Sequence, residues 1–436
     1  VNILVRYRLG GSNAKEISAS VEAGVRSGDL APGDQLPPVR ALAAELAVSP
    51  TTVAAAYGAL RRRGIVTGAG RAGTRIRPAP PIAIRGYLSA PEGTRDLING
   101  TPDPDLLPVL PARPAAKAAR MYAQEAVAPR LRRLAAGQFA ADGVNPASIA
   151  VTGGALDAIE RVLGAWLTPG DRVVVEDPGH VVTFGLIAAM GLVAVPVPAD
   201  DLGVRPDALA AALGRGAGAV IVTPRAQAAT GAAWDSARAA GLREVFARHP
   251  ATGLIEDDHA GPVSGTEGVT ASPGLAKWVT IRSVSKSLGP DLRLAVLAGD
   301  ERTVARVAGR QALGTGWVSY QLQDTVAELW SEPGTIERAA RVYAGRRAAL
   351  HAALAGHGIT ATGRSGFTCW IQVPDEDQVA SALARDGWAV APGRRFRIAA
   401  PPGVRICYAT LREDEAPAFA AAFHRALHAP RPARLD

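Results

Sequence analysis

Apolar residues recur at Ile17, Val21 and Val25, a spacing that predicts a helix over residues 12–27. The next segment, Ser27-Gly-Asp-Leu-Ala-Pro-Gly-Asp-Gln-Leu-Pro-Pro38, carries the glycines and prolines of a tight connection. Val39 to Leu46 predicts a second helix, with Leu42 and Leu46 turned to a core. Val48-Ser49-Pro50-Thr51-Thr52-Val53 restarts helix, because Ser49 can cap it and proline is tolerated in a first turn. That third helix is predicted to run to about Arg63, with Val53, Ala56, Tyr57 and Leu60 inward and Gly64 as its stop. Ile65–Thr67 and Thr74–Ile76 predict two short strands around a glycine-rich tip, Gly68–Gly73.

Beyond Asp96 the pattern changes. Ser148–Thr152, Arg172–Val175, Val193–Val197, Ala219–Thr223, Gly253–Glu256, Trp278–Ile281 and Leu294–Ala298 read as strands, with helical stretches between them. Such alternation predicts an α/β domain with a largely parallel sheet, in which ligands collect at the carboxyl ends of the strands. Residues 79–95, with Pro80, Pro81 and Pro91, predict a stiff proline-rich linker. The chain therefore divides into residues 1–78, the linker, and residues 96–436.

Composition fits this division. A chain of 436 residues exceeds one ordinary core, and 48% hydrophobic with 20% charged residues predicts globular domains. No apolar run is long enough for a bilayer and Val1-Asn-Ile-Leu-Val is no signal peptide, so a cytoplasmic protein is expected. Cys369 and Cys407 make no metal-ligand pattern, and reduced thiols are the plain reading. The net charge of +8 is uneven: residues 1–78 hold eleven basic against five acidic side chains, or +6. That asymmetry points to a polyanion at the amino-terminal end, or to a solvated basic surface. Arg61-Arg62-Arg63 reads as a solvated helix end favoured by the dipole.

Four segments of the large domain carry chemistry. Val151-Thr-Gly-Gly-Ala-Leu-Asp157 leads from strand to helix, where exposed amides suit a phosphate. Gly170-Asp-Arg-Val-Val-Val-Glu-Asp-Pro-Gly-His180 sets His180 just past a strand, either to stack on a flat ring or as a turn histidine. Leu254-Ile-Glu-Asp-Asp-His259 ends a strand in three acids, and a buried carboxylate there needs a cationic partner. In Ser283-Val-Ser-Lys-Ser-Leu-Gly-Pro-Asp-Leu-Arg293, Lys286 can form a Schiff base and Arg293 can grip a phosphate.

The stretches Gly28–Arg40, Leu42–Leu60 and Gly68–Ile76 resemble the winged helix-turn-helix of the GntR family. By that resemblance Arg40 and Thr51 approach base edges, Ser49 and Thr52 approach phosphates, and Arg71 in the wing approaches a minor groove. Many relatives have arginine at the position of Pro50, so which base is read there is open. The four large-domain segments together resemble fold-type I enzymes that use pyridoxal 5'-phosphate (PLP), the aspartate aminotransferase superfamily. Asp96-Leu-Ile-Asn-Gly-Thr-Pro-Asp-Pro-Asp-Leu-Leu-Pro108 further resembles the start of the sensor domain in MocR-type regulators, a GntR subfamily.

The resemblance implies that Lys286 holds PLP as an internal aldimine and that Asp257 pairs with the pyridine nitrogen. It places His259 near the ring hydroxyl and His180 against the ring, positions where many relatives have tyrosine. Gly153, Gly154 and Ala155 would supply phosphate amides, helped by Ser283 and Arg293. Arg405 matches the arginine that grips an amino acid's carboxylate, or is a salt-bridged strand residue. Aminotransferases carry Asn-Pro-Thr-Gly where this chain has Thr223-Pro-Arg-Ala-Gln-Ala-Ala-Thr-Gly231; Ala228 replaces the asparagine, and the adjacent Gln227 is a candidate substitute.

Three functions are compatible with these residues. The first is a regulator that binds an operator in double-stranded DNA and senses PLP, or a PLP–amine adduct, as a head-to-tail, domain-swapped homodimer. The others are a working aminotransferase with a DNA-binding domain, and a regulator that no longer binds PLP. Glu256–His259, Arg282–Arg293 and Gly316-Trp-Val-Ser319 resemble the branch linked to vitamin B6 salvage.

Overall fold

The computed structural model describes residues 7–27, 29–62, 65–68, 73–77, 88–110, 121–122, 124–332 and 334–428. They form two compact units.

The amino-terminal unit holds α1 (Ala14–Ser27), β1 (Gln35–Leu36), α2 (Val39–Glu45), α3 (Pro50–Arg62), β2 (Val66–Thr67) and β3 (Thr74–Ile76). Helix α1 starts two residues later than its periodicity predicts, because the Asn13 carboxamide accepts the amides of Lys15 at 3.1 Å and Glu16 at 3.0 Å. The predicted inner residues Ile17, Val21, Leu42, Val53, Ala56, Tyr57 and Leu60 are all buried in one core, while Val25 and Leu46 are partly buried against it. The Tyr57 hydroxyl donates to the Pro37 carbonyl at 2.9 Å and fixes α3 to the entry of α2. The strands form an antiparallel sheet in the order β1-β3-β2, so Gln35–Leu36 contributes an edge that periodicity alone does not reveal.

The large unit is built on an eight-stranded sheet in the order β5-β12-β11-β10-β9-β6-β7-β8. Its strands are β5 (Ile149–Thr152), β6 (Arg172–Asp177), β7 (Val193–Asp200), β8 (Gly203–Val204), β9 (Ala219–Val222), β10 (Gly253–Asp258), β11 (Trp278–Ser283) and β12 (Ala295–Gly299). All seven predicted strands are present, and the two-residue β8 is added. Strands β9, β10 and β11 run parallel, whereas β12 runs antiparallel to both β11 and β5. Every residue of β5, β9, β10, β11 and β12 is buried, as expected of strands covered on both faces. Helices α4 (Pro129–Ala141), α5 (Ala155–Trp166) and α6 (Val181–Ala189) lie between the first strands in sequence.

A second sheet was not legible from the pattern. It has the order β13-β15-β14-β4, from β13 (Thr368–Gln372), β14 (Trp388–Pro392), β15 (Gly403–Cys407) and β4 (Arg95–Leu97). Strand β4 pairs parallel with β14, which binds the start of the large unit into its carboxyl-terminal part. Among the described residues no helix is long and apolar enough to cross a membrane.

Candidate functional site

On the amino-terminal unit, Arg40, Ser49 and Thr51 are exposed and Thr52 is half-buried, at the starts of α2 and α3. The Ser49 hydroxyl accepts the Thr52 amide at 3.1 Å and lies 2.8 Å from the Thr52 hydroxyl. Ser49 therefore caps α3, and a short polar cluster opens the helix. Arg61 donates through Nε to the Gly68 carbonyl at 3.1 Å, which ties it to the wing backbone. Arg71 lies outside the described residues.

In the large unit, the ends of β5, β6, β9, β10 and β11 and the entry to β12 deliver the predicted residues to one edge of the sheet. Antiparallel β12 begins at that edge, which is why Arg293 joins residues that follow the other strands.

The three acids of β10 have separate fates. Glu256 accepts the hydroxyl of Thr270, the Ala271 amide at 2.7 Å and the Thr280 hydroxyl at 2.6 Å. Asp258 is bracketed by Arg225 at 2.8 Å and Arg282 at 2.8 Å, and both arginines also reach Asp142. Asp257 is buried, and its Oδ1 has no hydrogen-bond partner among the described residues. Its other oxygen lies 3.9 Å from His259 Nδ1. Burial and the neighbouring Asp258 charge push the Asp257 carboxyl up to about 7. A buried carboxylate with a bare oxygen fits the protonated ring nitrogen of PLP.

Lys286 is half-buried and donates from Nζ to the Gly100 carbonyl. Burial pushes its ammonium down to about 8. Burial, with the cations of Lys286 and Arg405 nearby, pushes His180 down to about 3. Burial and Lys286 push His259 down to about 4. Both imidazoles are neutral at pH 7, and His180 Nδ1 lies 3.0 Å from the Thr183 hydroxyl at the start of α6.

Arg405 is buried on β15, with its guanidinium 4.4 Å from the centre of the Phe396 ring. It donates to the carbonyls of Ala228, at 3.3 Å, and Ile98. Its Nε has no partner, and no acid forms an ion pair with it among the described residues. The alternative of a salt-bridged strand residue is thereby removed. A guanidinium held by carbonyls and an aromatic ring has charge to spare for a carboxylate.

At the phosphate-type turn, Gly154 has φ +116°, and a Cβ there would stand 2.8 Å from Arg293 Nη2. The positive φ favours glycine there, whereas the end of the Arg293 side chain could shift. Ser283 is buried and its hydroxyl accepts the Ser285 amide at 3.2 Å. Gly154 stands just before α5 and Ala155 is its first residue, so neither amide has an intrahelical acceptor.

Two assignments need correction. Gly153 does not present its amide to a ligand; it donates to the Asp157 carboxylate at 2.9 Å. Gln227 is no substitute for the missing asparagine. Its Nε2 donates to the Pro178 carbonyl at 2.8 Å, and its Oε1 accepts the amides of Ala229 at 2.9 Å and Thr230 at 2.7 Å. Fully buried, it braces its own loop.

Sequence reasoning assigned no role to Arg225, Asp142 or Phe396. Nor did it assign one to the strip Ile98–Gly100, although the segment containing it was singled out. The carbonyl acceptors of that strip leave no trace in side-chain chemistry.

Residues 114–423 match the aminotransferase class I and II family, and residues 13–76 match the gntR family of bacterial regulatory proteins. The vitamin B6 salvage pathway transcriptional repressor PtsJ of Salmonella typhimurium is 40% identical over 432 residues, covering 96% of this chain and 99% of its own. A probable rhizopine catabolism regulatory protein, MocR of Rhizobium meliloti, is 25% identical over 90% of this chain and 85% of its own. Among solved structures, LysN, an alpha-aminoadipate aminotransferase from Thermus thermophilus, superposes with a TM-score of 0.67 at 22% identity, over 77% of this chain and 92% of that one.

Proposed function

The chain belongs to the MocR-type regulators of the GntR family, and on that premise we propose that its large domain is a PLP sensor whose output is occupancy of a DNA operator. The observation that carries this reading is the bare, buried Oδ1 of Asp257 on the same sheet edge as Lys286. A carboxylate left so costs stability unless a ligand supplies the missing cation.

Lys286 would hold the aldehyde carbon of PLP, Asp257 its ring nitrogen, and Gly154, Ala155, Ser283 and Arg293 its phosphate. When bound, PLP supplies an electrophilic carbon that takes up amines reversibly. The protein's own groups do the rest. With an ammonium pKa near 8, Lys286 keeps an appreciable neutral fraction at physiological pH, which is the nucleophilic form. Neutral His180 and His259 add no charge beside the ring. Arg405 would orient the carboxylate of an amino-acid effector.

The domain reads as a sensor rather than a catalyst. Ala228 offers only a methyl group toward the ring hydroxyl and cannot hydrogen-bond it, and Gln227 spends its amide on neighbouring backbone. Turnover depends on such ring contacts more than binding does. The Salmonella relative is a repressor of a vitamin B6 salvage pathway, and we carry that pathway over as the regulated process. A cytoplasmic homodimer on a repeated operator completes the proposal, with residues 1–78 on DNA, 79–95 as linker and 96–436 as effector domain.

The test is spectroscopic. Full-length protein mixed with PLP is expected to show a visible absorbance band that borohydride fixes onto the Lys286 peptide and Lys286→Ala abolishes. PLP is also expected to change the retardation of a duplex from the region upstream of its own gene. Absence of the band in the native protein would overturn the reading.

A further inference from the structure

We infer that Asn99 links occupancy of the Lys286–Arg405 site to the chain arriving from the DNA-binding unit. The inference rests on reading the large domain as a ligand sensor, and it adds how the signal leaves the site.

The strip Ile98–Asn99–Gly100 touches both site cations through its backbone. The Ile98 carbonyl accepts from Arg405 and the Gly100 carbonyl accepts from Lys286. Between them, the Asn99 side chain faces the other way. Its Oδ1 accepts the Leu88 amide at 3.2 Å and its Nδ2 donates to the Leu88 carbonyl at 2.7 Å. Leu88 is the first described residue beyond residues 78–87, which lead back to the winged unit. One three-residue strip thus holds the two ligand-facing cations and the incoming chain.

The strip is suspended between fixed points. On one side, β4 pairs with β14 through Leu97 and Val390. On the other, Asp103 is held by Arg346 at 2.7 Å, and its amide donates to the Tyr343 hydroxyl at 3.0 Å. Between these points the Ile98 carbonyl accepts from Arg405 and the Gly100 carbonyl accepts from Lys286.

A ligand competes for both donors. Condensation of the Lys286 ammonium with an aldehyde forms a C=N bond and releases one water, leaving at most one N–H where three stood. A carboxylate on Arg405 takes the guanidinium edge now given to Ile98. Either event removes a charge-assisted hydrogen bond from the strip. The strip then loosens, and the two-bond clasp of Asn99 on Leu88 loosens with it.

The experiment is hydrogen–deuterium exchange on the full-length protein, native and Asn99→Ala, with PLP as the probe and the borohydride-fixable band as the measure of binding. In the native protein PLP is expected to speed exchange of Leu88–Ala90 and Leu97–Thr101 by roughly tenfold, the scale of one lost hydrogen bond. In Asn99→Ala the band should persist, Leu97–Thr101 should still respond, and Leu88–Ala90 should be fast from the start and indifferent to PLP. Unchanged protection of α5 in the variant verifies its fold. If Asn99→Ala does not fold, Lys286→Ala without ligand should reproduce the faster exchange at both segments. A native protein with the band but no response at Leu88–Ala90, or a variant that responds there like the native protein, overturns the inference. Absence of the band in the native protein overturns the sensor reading itself, and so separates the two failures.

Discussion

Asp257 and Asp258 are consecutive on β10 and meet opposite surroundings. Asp258 accepts from Arg225 Nε at 2.8 Å and Arg282 Nε at 2.9 Å, and the two guanidinium groups hold its carboxyl down to about 2 against the cost of burial. Asp257 has a bare Oδ1 and a carboxyl pushed up to about 7. The pleat of a strand sends successive side chains to opposite faces, so one acid enters an ion network and its neighbour turns toward His259.

Asp257→Asn is therefore expected to weaken PLP binding without weakening the fold. A charge-assisted hydrogen bond lost at the ring nitrogen is worth about 1.5–3 kcal/mol, or roughly 10- to 100-fold in the dissociation constant. The unliganded variant should melt no lower than the native protein at pH 8, because a buried negative charge has been removed. Titration of the visible band with PLP measures the first quantity and calorimetry the second. Equal PLP affinity in the two proteins would show that Asp257 does not face the ring.

Asp258→Ala should do the reverse. It strands two buried guanidinium groups, a loss of about 3–5 kcal/mol in stability. Asp142 keeps part of the network together, since it contacts both Arg225 and Arg282. Denaturant unfolding of the variant measures the loss, and an effect below about 1 kcal/mol would mean the network relaxes around the gap.

The unliganded protein should become less stable as pH rises from about 6.5 to 8; below 6.5 His180 and His259, neutral in the fold and protonated in the unfolded chain, act with the opposite sign. Burial raises Glu256 and Asp257 to about 7 and Glu176 to about 8. The folded state keeps these protons to that pH, while the unfolded chain releases them near 4.5 for the glutamates and 3.8 for the aspartate. Across that window the folded state binds more protons, so stability falls with rising pH, until Lys286, depressed to about 8, begins to act with the opposite sign above it. Glu176→Gln should flatten the upper part of the decline and Asp257→Asn the part below pH 7. Asp258 has the opposite sign: its contribution is present above about pH 4 and is lost toward pH 2. A melting temperature that climbs between pH 6.5 and 8 would contradict this assignment.

Elements with a strong local signature were readable from the sequence. The face Val53, Ala56, Tyr57, Leu60 on α3 and the β-branched runs of the large sheet each bury one repeating pattern. The short strands β1, β4 and β8 were not readable, because two or three residues carry no period and are strands only through their partners. The site divided along the same line. Motif types indicated which side chains gather at the sheet edge, but not where their hydrogen bonds go. Gly153 and Gln227 were both placed at the ligand by motif position, and both spend their polar atoms on neighbours. The strip Ile98–Gly100 acts through carbonyl groups that every residue possesses.

At the other end of the chain, Ser49 has two separable tasks. Its hydroxyl caps α3 at the Thr52 amide, 3.1 Å away, and it is exposed where a DNA phosphate would approach. Ser49→Ala should cost about 1 kcal/mol of stability in the amino-terminal unit, whereas Ser49→Gly should cost only a few tenths, since glycine is a tolerable cap. A phosphate contact responds differently, because both variants lack the hydroxyl. If Ser49 touches DNA, the two variants should lose operator affinity alike, by roughly five- to tenfold for one hydrogen bond, despite unequal stability. Thermal melts and gel-shift titrations on the same preparations separate the tasks. Operator affinity that tracks stability, weak in Ser49→Ala and near native in Ser49→Gly, would leave Ser49 with the cap alone.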